Sequence, residues 1–488
     1  MVIAGYKQIL FIISLFAVAL VLGLVMSNPD YNIKGVTLVL LFLTILVIFV
    51  VAPRMAAGEG RYFLYLFFLA FCLKMGASAF RMIWALDVKE GRIDAGRYHQ
   101  TGQILAEGFW QGNYDVFLPL LVRGTRFVEA ITGMVYSLIG PTLYGGFFFF
   151  AFLAFLGSCF YYKAFRLLFP NSNGLLYLGM IFFYPSWLYW PSSIGKDATL
   201  AFLIGLTAYG LALWLRTGRA IPFSARILSV SMVAFGLYGT YMIRPHIAAF
   251  LVVGMGMALM FQRYRMGIWT PVVAIVTLAA VPLVGWLIIS QAGSFVGAEQ
   301  LDLSGGVEAY RDIQRRAGDG GAAFDPVSIT DPLGVPMAVV TILYRPFPWE
   351  AHRGAALALA LEGSTLLALT IWRFRNILAA LRAARSNPYL IFVFVYSFVC
   401  ILAFTSFGNF SIVGRQRLQF LPLFFMLLAY PIPLAIRKSA PRKAVAANPG
   451  GQGRMAADGL AASRMPASRM PVEGRSLSGP AMNSSESS

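Results

Sequence analysis

The sequence predicts an all-α fold, a polytopic transmembrane helix bundle of about twelve spans with interfacial amphipathic helices. Three observations predict it. The 488 residues are 58% hydrophobic and 12% charged, about half the charged share of an ordinary soluble protein. Apolar runs near the ~20 residues needed to cross hydrocarbon recur through residues 8–436. The loops between them also sort by chemistry, with plain Arg/Lys loops alternating with loops that mix acids, bases and aromatics.

The runs lie near 8–26, 35–52, 62–86, 143–165, 174–190, 198–215, 227–243, 247–262, 269–289, 354–372, 389–406 and 418–436. Backbone groups find no water in lipid, so each run is expected as a helix. The first has no clear small-residue cleavage site and is followed by eleven more, which reads as a retained helix rather than a signal peptide. Lys74 stands near the middle of the third run. It either faces the bundle interior or, if the span is shifted, snorkels to the surface.

Between the third and fourth runs, residues 87–142 are too polar to span. Arg97, Tyr98, Gln103, Glu107 and Gln111 alternate with apolar residues at helical spacing, and 117–138 mixes Leu120, Phe127 and Ile131 with Arg123, Arg126 and Glu129. Both stretches read as amphipathic helices at the interface. The second long segment, 290–353, is rich in Gly and Asp and ends Tyr344-Arg345-Pro346-Phe347-Pro348-Trp349-Glu350. Its acids Glu299, Asp302, Asp319 and Asp325 lack the spacing of a calcium loop. Residues 1–438 are therefore expected as one membrane-embedded domain, and 439–488, rich in Ala, Ser, Gly and Pro, as a disordered cytoplasmic tail.

Net charge is +18. Residues 437–488 hold eight Lys/Arg and three Asp/Glu, and the remaining excess sits in short loops. That is the distribution of the positive-inside rule rather than of a nucleic-acid surface, so no nucleic-acid partner is expected. With the N-terminus cytoplasmic, the inside loops carry Arg54 and Arg61; Lys163 and Arg166; Arg216, Arg219 and Arg226; Arg263 and Arg265; and Arg373, Arg375, Arg382 and Arg385, as clusters without acidic partners. Cys72, Cys159 and Cys400 each lie alone in an apolar run and define no disulfide framework.

The external side then collects Asp94, Tyr98, His99, Lys196, Asp197, Arg244, His246, Arg345, Glu350, His352, Arg415 and Arg417, including all three histidines. Asp94 is an outward carboxylate that suits a general base or a helix N-cap. Pro185 to Asp197 breaks an apolar region and exposes Lys196 and Asp197 at a helix entrance. Freed N–H groups there favour an anion, and interfacial anchoring by the Trp and Tyr residues is the plainer reading. Arg244, Arg345, Arg415 and Arg417 offer planar forks for phosphate, against snorkelling or pairing with loop acids. No Walker loop, zinc motif or nucleophile elbow is present, no metal ligand set is assigned, and cofactors are left unknown, a divalent metal being possible without sequence indication.

Asp94, Tyr98 four residues on, and Ala106–Gly108 closing an amphipathic stretch resemble the first external loop of the GT-C glycosyltransferases, which include protein O-mannosyltransferases and bacterial enzymes using polyprenyl-phosphate sugars. The Pro-containing aromatic stretch before Asp197 and the last span, with Arg415, Arg417 and Pro422, are similar to that family too. The loop here follows the third span rather than the first, so two helices would precede the shared core. The resemblance implies a membrane glycosyltransferase with Asp94 as base. Its partners would be a polyprenyl-linked sugar donor, a glycan, lipid or protein acceptor, and membrane lipids. It would work at the outer face of a bacterial cytoplasmic membrane in surface polysaccharide or glycoconjugate synthesis. Twelve spans and a long outer loop before the tenth resemble O-antigen polymerases and ligases, which implies a polyprenyl-diphosphate-linked glycan instead. A transporter or flippase of lipid-linked sugars is the third alternative. It would call for related halves and midplane charges, and Lys74 is the one midplane charge found.

Overall fold

The computed structural model describes residues 30–88, 94–216, 222–261, 334–351, 354–405 and 407–432, with residues 23, 27, 275, 279, 324 and 327. Every regular element among them is helical. Five helices are long and apolar enough to cross a membrane, or up to seven if each of two bent pairs counts as one span. The chain thus carries the architecture of a multi-pass membrane protein.

Helix α1 (Tyr31–Leu46) begins at Asp30, whose side chain accepts the Asn32 N–H at 2.8 Å, an N-cap. It runs on through a π turn at Val47–Val51 to Ala56. Helix α2 (Arg61–Ile83) likewise continues to Val88. Helices α3 (Asp94–Trp110) and α4 (Thr125–Ile139) form a pair, joined through a 3-10 helix at Tyr114–Leu121. The expected single helix over 117–138 is therefore broken. Gly124 supplies the break with φ +87°, and its N–H donates to the Met242 carbonyl at 2.6 Å.

Helix α5 (Leu143–Leu168) precedes the short pair α6 (Gly174–Phe183) and α7 (Pro185–Tyr189). Then come α8 (Lys196–Leu215), α9 (Phe223–Ile243) and α10 (Pro245–Met260). The described C-terminal half holds α11 (Gly334–Tyr344), α12 (Gly354–Trp372), α13 (Phe374–Ala383), α14 (Pro388–Phe404), α15 (Phe410–Gln416) and α16 (Leu421–Ala429).

Of the twelve expected spans, 35–52, 62–86, 143–165, 198–215 and 227–243 are single long helices. Two others, 354–372 and 418–436, fall in pairs bent by 63° and 65°. The runs at 174–190, 247–262 and 389–406 hold helices shorter than a full crossing. Pro185, which has no N–H to donate, divides the first of these. Runs 8–26 and 269–289, but for residues 23, 275 and 279, and the tail 439–488 lie outside the described residues. So does most of 290–333.

Besides the short α15 ahead of the last run, two helices were not expected. One is α11, which falls inside the supposed 290–353 loop and is buried along Ala338, Thr341, Ile342 and Tyr344. Its eleven residues rise only about 16 Å, too short to register as a span. The other is α13, in the basic 373–388 segment.

Close packing uses small residues, as expected between helices in lipid. A Cβ on Gly157 of α5 would collide with the Ala201 carbonyl of α8, and one on Gly236 of α9 would strike the Thr207 hydroxyl. Helix α8 is thereby clasped between α5 and α9. Aromatic rings fill the space between α2, α5 and α6, with Phe67–Phe155 at 5.2 Å and Phe155–Phe182 at 5.4 Å. Phe42, Phe49, Tyr65 and Phe235 are exposed on α1, α2 and α9, as lipid-facing side chains would be.

The contacts also sort the two ends of the bundle. At one end Lys163 Nζ donates to the Arg54 carbonyl, and Arg166 Nε donates to Glu59 at 2.6 Å. At the same end as the α16 terminus, Arg373 Nε donates to the Leu428 carbonyl at 3.1 Å. Glu59 corrects the expectation that these basic clusters have no acidic partner. At the other end α2 finishes, α8 begins, and the candidate site forms.

Candidate functional site

The site is built on a break in the helices. Between α6 and α8 the chain runs through α7 and an irregular turn, and Pro191 to Gly195 are buried. Buried non-helical backbone needs hydrogen-bond partners, and α2 and α12 supply them. Lys74 Nζ donates to the Trp187 carbonyl at 2.9 Å, and Arg81 Nη1 to the Tyr189 carbonyl at 3.0 Å. The Ser186 N–H donates to Glu362 Oε2 at 2.7 Å. Lys74 thus faces the interior, one of its two expected readings. Trp187 is buried with its indole N–H on Ser158 Oγ at 2.7 Å, so it is no interfacial anchor.

The turn ends at Gly195, whose φ of +154° favours glycine and whose Cα backs onto the Tyr98 ring. The next two residues, Lys196 and Asp197, open α8. Asp197 is the centre of a charged cluster. Arg415 Nε donates to its Oδ2, and Arg244 Nη2 lies 3.5 Å from its Oδ1. Arg244 Nη1 donates to Gln416 Oε1 at 2.6 Å, and Gln419 Nε2 donates to the same oxygen. Lys196 and Arg81 lie within electrostatic reach of Asp197. The Arg81 guanidinium sits over Tyr189 at 5.2 Å and Trp190 at 5.6 Å, a cation–π arrangement that holds it still. A cavity of about 10 Å³ beside Asp197 and Arg415, touching Tyr161 and Trp187, has room for about one water. Anything larger meets these cations from outside.

Helix α3 brings Asp94 and Tyr98 to the same place. Asp94 is exposed in its first turn, and its charge acts on Arg81, Tyr98, Lys196 and Arg415. Tyr98 is buried beneath it. Burial, then the nearby Asp94 carboxylate, push the Tyr98 hydroxyl up to about 12, so it remains an O–H donor at neutral pH. The α3–α4 pair is pinned by Arg97 Nε on Glu129 at 2.9 Å, and His99 Nδ1 lies 2.9 Å from Tyr136 Oη. Burial pushes the His99 imidazole down, leaving it neutral at pH 7. His99 serves the helix pair rather than the cluster.

Four cations, Arg81, Lys196, Arg244 and Arg415, thus gather round Asp197, and three of them also feel Asp94, so these six side chains carry a net +2. That excess of positive charge suits an anion, with the Asp94 carboxylate at its edge. Asp94, Tyr98, Lys196, Asp197, Arg244 and Arg415 were legible as candidates. Arg81, Gln416 and Gln419 were not. Arg81 follows Lys74 by seven residues, two helical turns along the same face, a spacing that could have marked both as inward.

Other candidates are placed elsewhere. Arg417 is fully buried, donating from Nη2 to Glu362 Oε1 at 2.6 Å and from Nη1 to the Leu343 carbonyl at 3.1 Å. It ties α11, α12 and the start of α16 together and presents no fork to a substrate. Arg345 donates to Glu350, with Nε 2.8 Å from Oε1, and its guanidinium lies over Phe324 and Phe410 at 5.0 and 5.3 Å. The Phe347 N–H also donates to Glu350 at 2.7 Å. Burial works against the Glu350 charge, but these bonds from Arg345 and Phe347 outweigh it and hold the carboxyl below its ordinary range. Arg345 and Glu350 satisfy each other. His246 stacks edge-on against Phe250 at 5.8 Å in the first turn of α10. His352 lies outside the described residues. Among the described residues no three His, Cys, Asp or Glu side chains converge as a metal site would require.

Comparison with protein-family models, with curated proteins and with solved structures gives no match to this chain.

Proposed function

We propose that this chain is an integral-membrane glycosyltransferase of GT-C type, using a polyprenyl-phosphate-linked sugar at the outer face of a bacterial cytoplasmic membrane. The observation that carries this reading is one juxtaposition. The charge of an exposed carboxylate, Asp94, acts on three cations, Arg81, Lys196 and Arg415, which with Arg244 gather round Asp197.

The chemistry of transfer needs those two features side by side. Asp94 takes the proton of an acceptor hydroxyl as its oxygen bonds to the sugar's anomeric carbon. The bond from that carbon to the phosphate oxygen breaks, and the electron pair leaves on the phosphate. Arg81, Lys196, Arg244 and Arg415 stabilise that charge as it develops, and they do so without rearranging. Tyr98, protonated at working pH, offers an O–H to the same region. Arg345, Glu350, Arg417 and His99 are left out of the donor site because Arg345 and Glu350 pair with each other, Arg417 is buried on Glu362, and His99 lies on Tyr136. The polymerase or ligase alternative drew on the 290–353 loop, and the same engagement of Arg345 weakens it.

The test is transfer of radiolabelled sugar by the purified protein in detergent, from a polyprenyl-phosphate donor to a membrane-extract acceptor. Label appearing in the acceptor fraction supports the proposal. Label that crosses a vesicle bilayer without being transferred would replace it with the transporter reading.

A further inference from the structure

Helix α13 lies at the other end of the bundle from Asp197. Helix α12 carries Glu362, which holds the site's turn, and ends at Trp372, where the chain bends by 63° into α13. A bend of that size turns the helix away from the direction of the span. Its sequence, FRNILAALRA, is strongly two-sided. Asn376 and Ala380 are buried, and Asn376 Nδ2 donates to the Tyr430 carbonyl at 2.6 Å, fastening α13 to the end of α16. Phe374, Arg375, Leu381 and Arg382 are exposed.

The charge here is one-signed. Arg373, Arg375, Arg382 and Arg385 fall within thirteen residues, and no acidic residue occurs between Glu362 and Asp458. Arg375 and Arg382 stand two turns apart on one face. Leu378, Ala379 and Ala383 lie between and beside them, and with Ile432 they bound an open groove of about 750 Å³. Just above, Ile371 and Trp372 are exposed, with the Arg373 guanidinium 5.2 Å from the Trp372 ring. Trp and Arg at this position mark headgroup level. An apolar floor, two exposed arginines without a carboxylate partner among the described residues, and a Trp–Arg boundary match the chemistry of one ligand, in which a phosphate is joined to acyl chains.

We propose that α13 is an interfacial helix whose groove binds the headgroup of an anionic phospholipid, the phosphate between Arg375 and Arg382 and the chains along Leu378 and the exposed end of α12. The attraction adds for each arginine near the surface, and two arginines together are worth roughly 30-fold in affinity. This site lies apart from the anion cluster and does not depend on the transferase reading.

The test is native mass spectrometry of the full chain, delipidated in neutral detergent and titrated with phosphatidylglycerol or with phosphatidylcholine of the same chains. Phosphatidylglycerol adducts are expected to form preferentially on the unaltered protein. Affinity should fall by roughly 30-fold in the double variant Arg375→Gln, Arg382→Gln, while the double variant Arg375→Lys, Arg382→Lys keeps most of it. Equal binding of the two lipids by the unaltered protein would overturn the proposal without recourse to any variant. So would undiminished phosphatidylglycerol binding by the Gln variant, or displacement of the lipid by millimolar inorganic phosphate alone.

Discussion

Arg244 reaches Asp197 only at 3.5 Å, while its other terminal nitrogen holds Gln416 at 2.6 Å. A charged N–H···O contact in its preferred geometry is nearer 2.8 Å. The guanidinium is therefore held in place by an amide and only weakly engaged by the carboxylate. An arginine so placed keeps charge available for a second anion. Arg415, which donates directly to Asp197, is the more tightly held of the pair.

From this follows the first prediction. Arg244→Lys and Arg415→Lys keep the charge but lose the fork, and each should raise the KM for the lipid-phosphate donor by about tenfold or more. That matches the loss of one charge-assisted hydrogen bond, about 1.5–3 kcal/mol. Arg345→Lys should leave KM near the unaltered value, because Arg345 is occupied by Glu350. Steady-state transfer against donor concentration distinguishes the two groups. Equal effects at all three positions would mean that the site has been drawn in the wrong place.

Arg417 should behave as a structural residue. Its side chain is 0% exposed and that of Glu362 is 5% exposed, so Arg417→Met leaves a carboxylate buried without its cation. Removing one partner of such a pair costs about 3–5 kcal/mol. A large drop in the thermal unfolding midpoint in detergent is expected. A variant that unfolds like the unaltered protein yet has lost donor binding would return Arg417 to the substrate site.

His99 sets a pH dependence. Burial lowers its pKa in the folded protein below the unfolded value of about 6.5. Well above that value both states are neutral and the group contributes no pH dependence. As pH falls through about 6.5 the unfolded chain takes up the proton first, and stability is lost until the folded pKa is passed. The unaltered protein should therefore lose more thermal stability between pH 7.5 and pH 5.5 than His99→Gln does. Parallel curves for the two proteins would show that the His99–Tyr136 contact carries no such linkage.

The five long helices and the Lys196–Asp197 entrance were legible because each leaves a local mark, a long apolar run or a charge pair after Pro and Gly. Partnership was not. Asp197 and Arg415 are 218 positions apart, and nothing local says that they meet. Arg415 and Arg417 look alike in sequence. Residues two apart on a helix point to different sides, and the structure sends one to Asp197 and the other to Glu362. Arg81 was hidden by its place at the end of an apolar span, where an arginine ordinarily snorkels. Helix α13 was legible after all, with Phe374, Ile377, Leu378 and Leu381 at helical spacing, but its arginines drew it into a cytoplasmic loop.

The account rests most directly on Asp94. The decisive measurement is the rate of sugar transfer from a polyprenyl-phosphate donor by the purified protein and by Asp94→Asn, compared at equal folded concentration. Asn keeps the shape and the ability to sit in the first turn of α3 but cannot accept the proton. The rate should fall by about 100-fold or more with the unfolding midpoint unchanged. An Asp94→Asn protein that transfers sugar as fast as the unaltered one would contradict the assignment of Asp94 as the base and, with it, the reading of this end of the bundle as a transferase site.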